Sequence, residues 1–226
     1  MVIAGLVPAY QAEKTVGDVV RGVRAHVERV LVVDDGSDDE TAAAAGRGGA
    51  TVVRHDENRG KGAALLTGFA ALARSGATHA LTVDADGQHL PGEIPRLLEA
   101  AEREPTAIVV GVRRKTGHAI RGINRLGNAV ADRLLRALAG RAVPDTQSGF
   151  RVYPITRTLA LGAQGRRFDF ETEILLRAAR ADLRLVGVPV AVHYPPVAER
   201  VSHYRPWRDT VRIVRTVGRV WLRPGA

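Results

Sequence analysis

Leu81-Thr-Val-Asp-Ala-Asp-Gly-Gln-His89 decides how the rest of the chain is read. The run His79 to Val83 predicts a buried strand, and it ends in Asp84-Ala85-Asp86. Side chains alternate faces along an extended segment, so the carboxylates of Asp84 and Asp86 can face one spot. Two anions held close raise each other's pKa, and a divalent cation removes that cost. Hard cations such as Mg2+ or Mn2+ take oxygen ligands and share them with substrate phosphates. Gly87 lets the backbone turn, and Gln88 adds a neutral oxygen. The stretch predicts a metal-diphosphate site at the carboxyl end of a parallel strand, where open α/β sheets bind ligands. The competing reading is an acidic turn that caps the helix starting near Pro91.

Strand and helix signals alternate on either side. Val2–Val7 closed by Pro8, Val30–Val33 and Thr51–Arg54 read as strands. Helices are predicted from a Thr15-Val-Gly-Asp18 capping box to about Val27, and over Thr41–Ala45 behind a cap at Ser37 or Asp38. A third runs from Asn58-Arg-Gly-Lys-Gly62 through Leu72. Beyond the acidic stretch, Pro91 opens a helix with Ile94, Leu97, Leu98 and Ala101 on one face, and Ala107–Gly111 is the next strand. The second half is less regular. It offers helical periodicity over Ile120–Leu138 with Arg121, Arg125 and Arg133, a turn-rich Asp145–Arg151 before a short strand, and a helix after Phe168 ending near Ala181. An apolar strand over Leu185–Val192 and a loop from Pro195-Pro196 follow. Alternation of this kind gives an α/β fold, a mostly parallel sheet with helices on both sides, in a single domain over residues 1–226.

Bulk properties narrow the choice. Apolar content of 45% in 226 residues supports a real core. With no cysteine, disulfides, thiolate metal sites and Cys nucleophiles are excluded, which fits a reducing cytoplasm. The start reads as a first strand rather than a signal peptide, and no apolar run is long enough to span a bilayer. The net charge of +9, from 33 basic and 24 acidic residues, points to an anionic partner. Nucleic acid is disfavoured, because the basic residues are scattered and few aromatics interleave with them.

Two further motifs carry chemistry. Asp34-Asp35-Gly36-Ser37 ends a strand as Asp84-Ala85-Asp86 does, and a carboxylate there can accept from a ribose or a base edge; a helix cap is the alternative. Asn58-Arg-Gly-Lys-Gly62 offers backbone N–H groups, a positive dipole end and two cations to an anion. It is not a Walker A loop, because Gly62 follows Lys61, and it is not a dinucleotide fingerprint.

In this order the motifs resemble the family 2 glycosyltransferases of GT-A fold, most nearly the polyprenyl-phosphate (dolichyl-phosphate) mannose or glucose synthase branch. The matching residues are Val7-Pro-Ala-Tyr10, Val33-Asp-Asp-Gly-Ser37, Asn58-Arg-Gly-Lys-Gly-Ala63 and Asp84-Ala-Asp-Gly-Gln-His89. They continue with Gly111-Val-Arg113, Asp145-Thr-Gln-Ser-Gly-Phe-Arg151, Phe168-Asp-Phe-Glu171 and Ser202-His-Tyr-Arg-Pro206. The resemblance implies a nucleotide-binding half over 1–112, with Pro8, Tyr10, Asp34, Asp35, Lys61, Asp84, Ala85 and Asp86 at the nucleotide sugar, a GDP- or UDP-hexose. It implies Mg2+ or Mn2+ held by Asp84, Asp86 and Gln88. It implies an acceptor half over 113–206, with Arg113, Arg125 and Arg151 as candidates for gripping the phosphate of a polyprenyl phosphate. His203, in the acceptor-side loop, could touch the phosphates or complete the metal shell. Gln11 stands where the family usually has Asn, and the transmembrane helices of many relatives are missing.

A phosphate monoester carries roughly −1.5 to −2 charges near neutral pH. It is already an ionised nucleophile, and arginine forks bind its oxygens in bidentate fashion. A sugar hydroxyl acceptor would instead need a base, and Asp169 is the candidate, with Glu171 behind it. A sugar nucleotidyltransferase and a non-catalytic nucleotide-sugar-binding protein are the readings from other classes. The last segment, 207–223, predicts a basic amphipathic helix. One stripe holds Trp207, Val211, Val214, Gly218 and Trp221, and another holds Arg208, Arg212, Arg215, Arg219 and Arg223. Such a helix suits an anionic membrane surface, or packs its apolar face on the core. The expected location is the cytoplasm, peripheral at the inner face of the membrane.

Overall fold

The computed structural model describes residues 1–113, 144–193 and 206–222, the last with side chains from residue 211 onward. The helix expected over 120–138, with Arg125, and the loop carrying His203 lie outside the described residues. So do the side chains of Trp207 and Arg208, and Arg223 altogether. The strands are β1 (Ile3–Ala9), β2 (Val30–Asp34), β3 (Thr51–Arg54), β4 (His79–Thr82), β5 (Ile108–Arg113), β6 (Arg151–Pro154) and β7 (Leu185–Val190). The helices are α1 (Val16–Arg24), α2 (Thr41–Arg47), α3 (Lys61–Arg74), α4 (Ile94–Arg103), α5 (Ile155–Ala160), α6 (Asp169–Arg180) and α7 (Pro206–Leu222).

One sheet runs β3-β2-β1-β4-β6-β5-β7. Every pairing is parallel except those of β6, which lies antiparallel between β4 and β5. The apolar runs are explained by burial on both faces. Val30 and Val32 pack with α1, α2 and α4, while Leu31 and Val33 pack with α3, α5 and α6. The same alternation splits Val7 from Leu6, Leu81 from Ala80, and Val109 from Ile108 and Val110.

Three local expectations are corrected. The Thr15 side chain does not cap α1; its hydroxyl donates to the Ala85 carbonyl at 2.6 Å, tying the helix to the acidic stretch. At α2 the Thr41 amide finds Asp39 Oδ1 at 3.0 Å, not Ser37 or Asp38. The first turn after Pro91 is a 3-10 turn, Pro91–Glu93, ahead of α4.

Candidate active site

The carboxyl ends of the central strands place the acidic residues on one rim. Register sets Ala9 beside Asp34 and Leu6 beside Thr82, so β2 and β4 both finish next to β1. Pro8 pairs in register with Val33, and Tyr10 follows β1 at this rim. Just past β4, the Asp84 carboxylate meets two basic side chains. Its Oδ1 lies 2.6 Å from Lys61 Nζ, and Lys61 Nζ is also 2.9 Å from Glu171 Oε1. His89 Nε2 stands 3.8 Å from Asp84 Oδ2, and its ring lies over Phe150 with centroids 4.9 Å apart. Burial alone would raise the Asp84 pKa, but the Lys61 charge overrides it and holds the carboxyl well below its ordinary value. Lys61 is largely shielded from solvent, and the charges of Asp84 and Glu171 keep it protonated against that penalty. Asp86 moves the other way: burial and the neighbouring Asp84 charge raise its pKa.

Glycine at 149 makes room for this arrangement. A Cβ there would overlap the Asp84 carboxylate, so the turn Asp145–Arg151 must pass with a bare backbone. The Thr82 hydroxyl donates to the Gly149 carbonyl at 2.8 Å and fixes that approach. Ala85 is buried and only its carbonyl is used, by Thr15. The Gln88 amide donates to Asp86 Oδ1 at 3.0 Å, and its carbonyl accepts from His193 at 2.9 Å.

The donor set at the rim fits a hard divalent cation. Asp84 Oδ1 is buried, and Lys61 meets it as an ion pair rather than in a hydrogen bond of regular angle. Asp86 supplies a second carboxylate whose charge is disfavoured until a cation arrives. Among the described residues no third imidazole or carboxylate completes a closed cage. Oxygen ligands of this number suit Mg2+ or Mn2+, which complete their shells with water and phosphate.

Other residues singled out in the sequence sit differently. Asp35 is buried with both oxygens in use: Oδ1 accepts from the Arg59 amide at 3.0 Å and meets His55 Nδ1 at 2.7 Å, while Oδ2 accepts from the Gly60 amide at 2.7 Å. Asp34 is wholly buried; Oδ1 accepts from Ser37 N at 3.1 Å, and Oδ2 has only Arg54 Nε at 3.4 Å. Gln11 has φ +51°, a region where Asn is more at ease than Gln.

At the start of α3 three backbone amides already have acceptors inside the protein. Arg59 and Gly60 give their amides to Asp35, and Ala63 gives its amide to the Arg166 carbonyl at 3.0 Å. Gly60, at φ +100°, has no room for a Cβ against that carbonyl. From this corner the Lys61 side chain reaches the rim.

The arginines divide. Arg113 Nε and Nη2 donate to Asp145 Oδ2 and Oδ1 at 2.7 and 2.9 Å. Burial would raise Asp145, yet Arg113 holds it below its ordinary value. Arg151 is fully buried. It donates to the carbonyls of Ser148, Thr146 and Glu171 at 2.6, 2.9 and 2.9 Å and to the Tyr153 hydroxyl at 3.0 Å. The phosphate-gripping role expected of Arg151 therefore meets a guanidinium with no surface and four hydrogen bonds inside the protein.

Asp169 and Glu171 are two residues apart on α6, about 200° around the helix, so they face different partners. Asp169 Oδ1 accepts from the Arg167 amide and Oδ2 from the Thr216 hydroxyl, each at 3.1 Å. Sequence reasoning named Glu171 and Gly149 but missed the pairing of Glu171 with Lys61 and the approach of Gly149 to Asp84, and it missed Thr216 at Asp169 altogether. Glu171 had a signal, its place in the Phe168–Glu173 acidic run.

Comparison with known proteins agrees with this geometry. The family model described as glycosyl transferase family 2 matches residues 6–158. The UDP-N-acetylglucosamine–dolichyl-phosphate N-acetylglucosaminyltransferase of Methanococcus voltae is 29% identical over 212 residues, covering 84% of each chain. The polyprenol monophosphomannose synthase of Mycolicibacterium smegmatis is 30% identical over 201 residues, 82% of this chain and 75% of that one. Among solved structures, glucosyl-3-phosphoglycerate synthase from Mycobacterium tuberculosis with Mn2+, uridine diphosphate and glucosyl-3-phosphoglycerate superposes at TM-score 0.76. It is 22% identical and covers 96% of this chain and 78% of that one, which shows a shared GT-A fold. With Asp34, Asp35, Asp84 and Asp86, strands β2 to β4 and the turn Asp145–Arg151 all inside the matched stretch, the chain belongs to glycosyl transferase family 2 and is a glycosyltransferase related to the polyprenyl-phosphate sugar synthases.

Proposed function

We propose that the protein transfers a hexose from UDP or GDP to a polyprenyl phosphate, with inversion, in a single displacement. The observation that carries this reading is the rim at β4, where Asp84 and Asp86 stand together beside Lys61. Bound Mg2+ or Mn2+ supplies a Lewis acid that neutralises charge on the departing diphosphate. Asp84 and Asp86 hold that ion, with Gln88 beside them, and Asp34, Asp35, Pro8 and Tyr10 frame the nucleoside side. An acceptor phosphate oxygen forms the new bond to the anomeric carbon as the bond to the nucleoside diphosphate breaks, and no proton has to move. Arg113 and Arg125 orient the acceptor phosphate, and His203 contacts the phosphates. Arg151 positions the turn that carries Gly149 against Asp84.

The acceptor half is supported by relatives whose names specify dolichyl phosphate, undecaprenyl phosphate and polyprenol phosphate. It is also supported by Asp169, whose two oxygens are committed to Arg167 and Thr216 rather than left for a hydroxyl. The test is transfer from GDP-mannose, UDP-glucose and UDP-N-acetylglucosamine to a short-chain polyprenyl phosphate, with Asp169→Asn beside the wild type. A loss of about fivefold or less in Asp169→Asn is expected; a loss of ~10²-fold or more would make Asp169 the base of a hydroxyl transfer.

The same reading places the enzyme at the inner face of the membrane, through α7. That helix has three faces. Ile213, Val217 and Val220 pack with Leu176 of α6, and Arg219 Nη2 reaches Glu173 at 3.4 Å. The stripe expected to be its apolar face is a different one: Val214 is 58% exposed and Trp221 56%, with exposed Arg212 and Arg215 alongside. Among the described residues no helix is long and apolar enough to cross a membrane. Flotation with anionic vesicles is expected, and the double variant Val214→Ser/Trp221→Ser is expected to lose most of it while keeping the wild-type melting temperature. Unchanged flotation in the double variant would remove α7 from the account.

A further inference from the structure

We infer that Lys61 is a built-in counter-ion: it neutralises the rim while donor is absent, and it turns to the donor's diphosphate when a divalent ion claims Asp84, with Glu171 as the anchor it keeps. This inference rests on the donor-site reading given above.

Lys61 Nζ bridges Asp84 and Glu171 at 2.6 and 2.9 Å, and its side chain is 15% exposed. The Glu171 side chain is 5% exposed, so without Lys61 a buried carboxylate would lose its cation partner. Asp84, whose side chain is 24% exposed, also has Lys61 as its nearest cation. One ammonium therefore stands where a divalent ion would have to bind. Any ion that takes Asp84 must first displace Lys61, and that competition weakens binding of the ion alone.

The displacement is tolerable because Lys61 has a second carboxylate to retain. Glu171 is held rigidly for that purpose: its backbone carbonyl accepts from buried Arg151, and it sits in the first turn of α6. The base of Lys61 is fixed too. It is the first residue of α3, whose entry is clamped by Asp35 and by the Arg166 carbonyl. Only the side chain can respond. Three amides of that entry, those of Arg59, Gly60 and Ala63, are already used, and the Lys61 ammonium is a positive charge this corner can give a diphosphate. A flexible four-carbon stem carrying a point charge can change partners, whereas an arginine fork in the same place would stay locked between two carboxylates. Ion and nucleoside diphosphate are then coupled through Lys61: each makes the other's binding easier, by the same factor.

The experiment measures Mn2+ affinity by the paramagnetic resonance of free Mn2+, with and without UDP or GDP, so that no turnover is involved. In the wild type, Mn2+ alone is expected to bind weakly and the nucleotide to tighten it. Lys61→Met is expected to bind Mn2+ alone roughly tenfold more tightly, with most of the nucleotide effect gone. Glu171→Gln is the second variant, and it decides alone should Lys61→Met fail to fold. It is expected to weaken Mn2+ alone several-fold and to bind it almost normally once UDP or GDP is present, because Lys61 then has the diphosphate to go to. A simple field effect of the lost charge would change affinity equally in both conditions, and that result overturns the counter-ion role. An unchanged Mn2+ affinity in Lys61→Met overturns it as well. Should neither nucleotide tighten Mn2+ in the wild type, the donor-site reading falls and this inference with it.

Discussion

Asp86→Ala is expected to lower kcat/KM for sugar transfer by ~10³-fold or more while leaving the melting temperature unchanged or slightly higher. The two effects have opposite signs for one reason. The charge on Asp86 is disfavoured in the free protein by burial and by Asp84. Its carboxylate makes only a local contact, accepting from the Gln88 amide. Removing it relieves repulsion in the folded state and costs little in hydrogen bonding, yet takes away one of the two carboxylates that Asp84 and Asp86 offer to a cation. Steady-state transfer and a thermal scan with and without Mn2+ check both halves. A variant that turned over like the wild type would detach the acidic stretch from the chemistry.

Arg151→Met is expected to destabilise the fold by about 3–5 kcal/mol, the cost of leaving several buried acceptors without their donor. The carbonyls of Thr146, Ser148 and Glu171 and the Tyr153 hydroxyl all depend on that one guanidinium. Chemical denaturation measures the loss directly. The resemblance-based role, a grip on the acceptor phosphate, makes a different forecast: stability preserved and KM for the acceptor raised. A stable variant with only a raised acceptor KM would restore that role and overturn the structural one. Much of the expected loss of stability arises at the turn holding Gly149 against Asp84, so residual activity in Arg151→Met should fall further than its folded fraction.

Much of the first half was legible because its signals are local. Strands buried on both faces need unbroken apolar runs, and β2 and β4 begin where those runs predicted. Asp34 and Asp84 could be placed at strand ends for the same reason. Capping was less legible. Thr15 carries the residue type of a helix cap, but a nearby carbonyl, that of Ala85, competes for its hydroxyl, and only the fold brings the two together. The stripe on α7 was periodic as expected, and which face would be buried depended on what α6 presents to it.

By itself the sequence determined the alternation of strands and helices, the mostly parallel sheet that alternation implies, and the two acidic strand ends, because backbone periodicity and turn chemistry act over a few residues. The tertiary structure decided which charges meet. Strand β6 runs backward between β4 and β5, and that one insertion carries Gly149 to Asp84 and buries Arg151. Helix α6 then points Glu171 at Lys61, 110 residues away in the chain. A charged residue in a sequence reads as solvated or catalytic according to its type, whereas its partner is set by distance in space, and the long-range pairing of β6 fixes that distance.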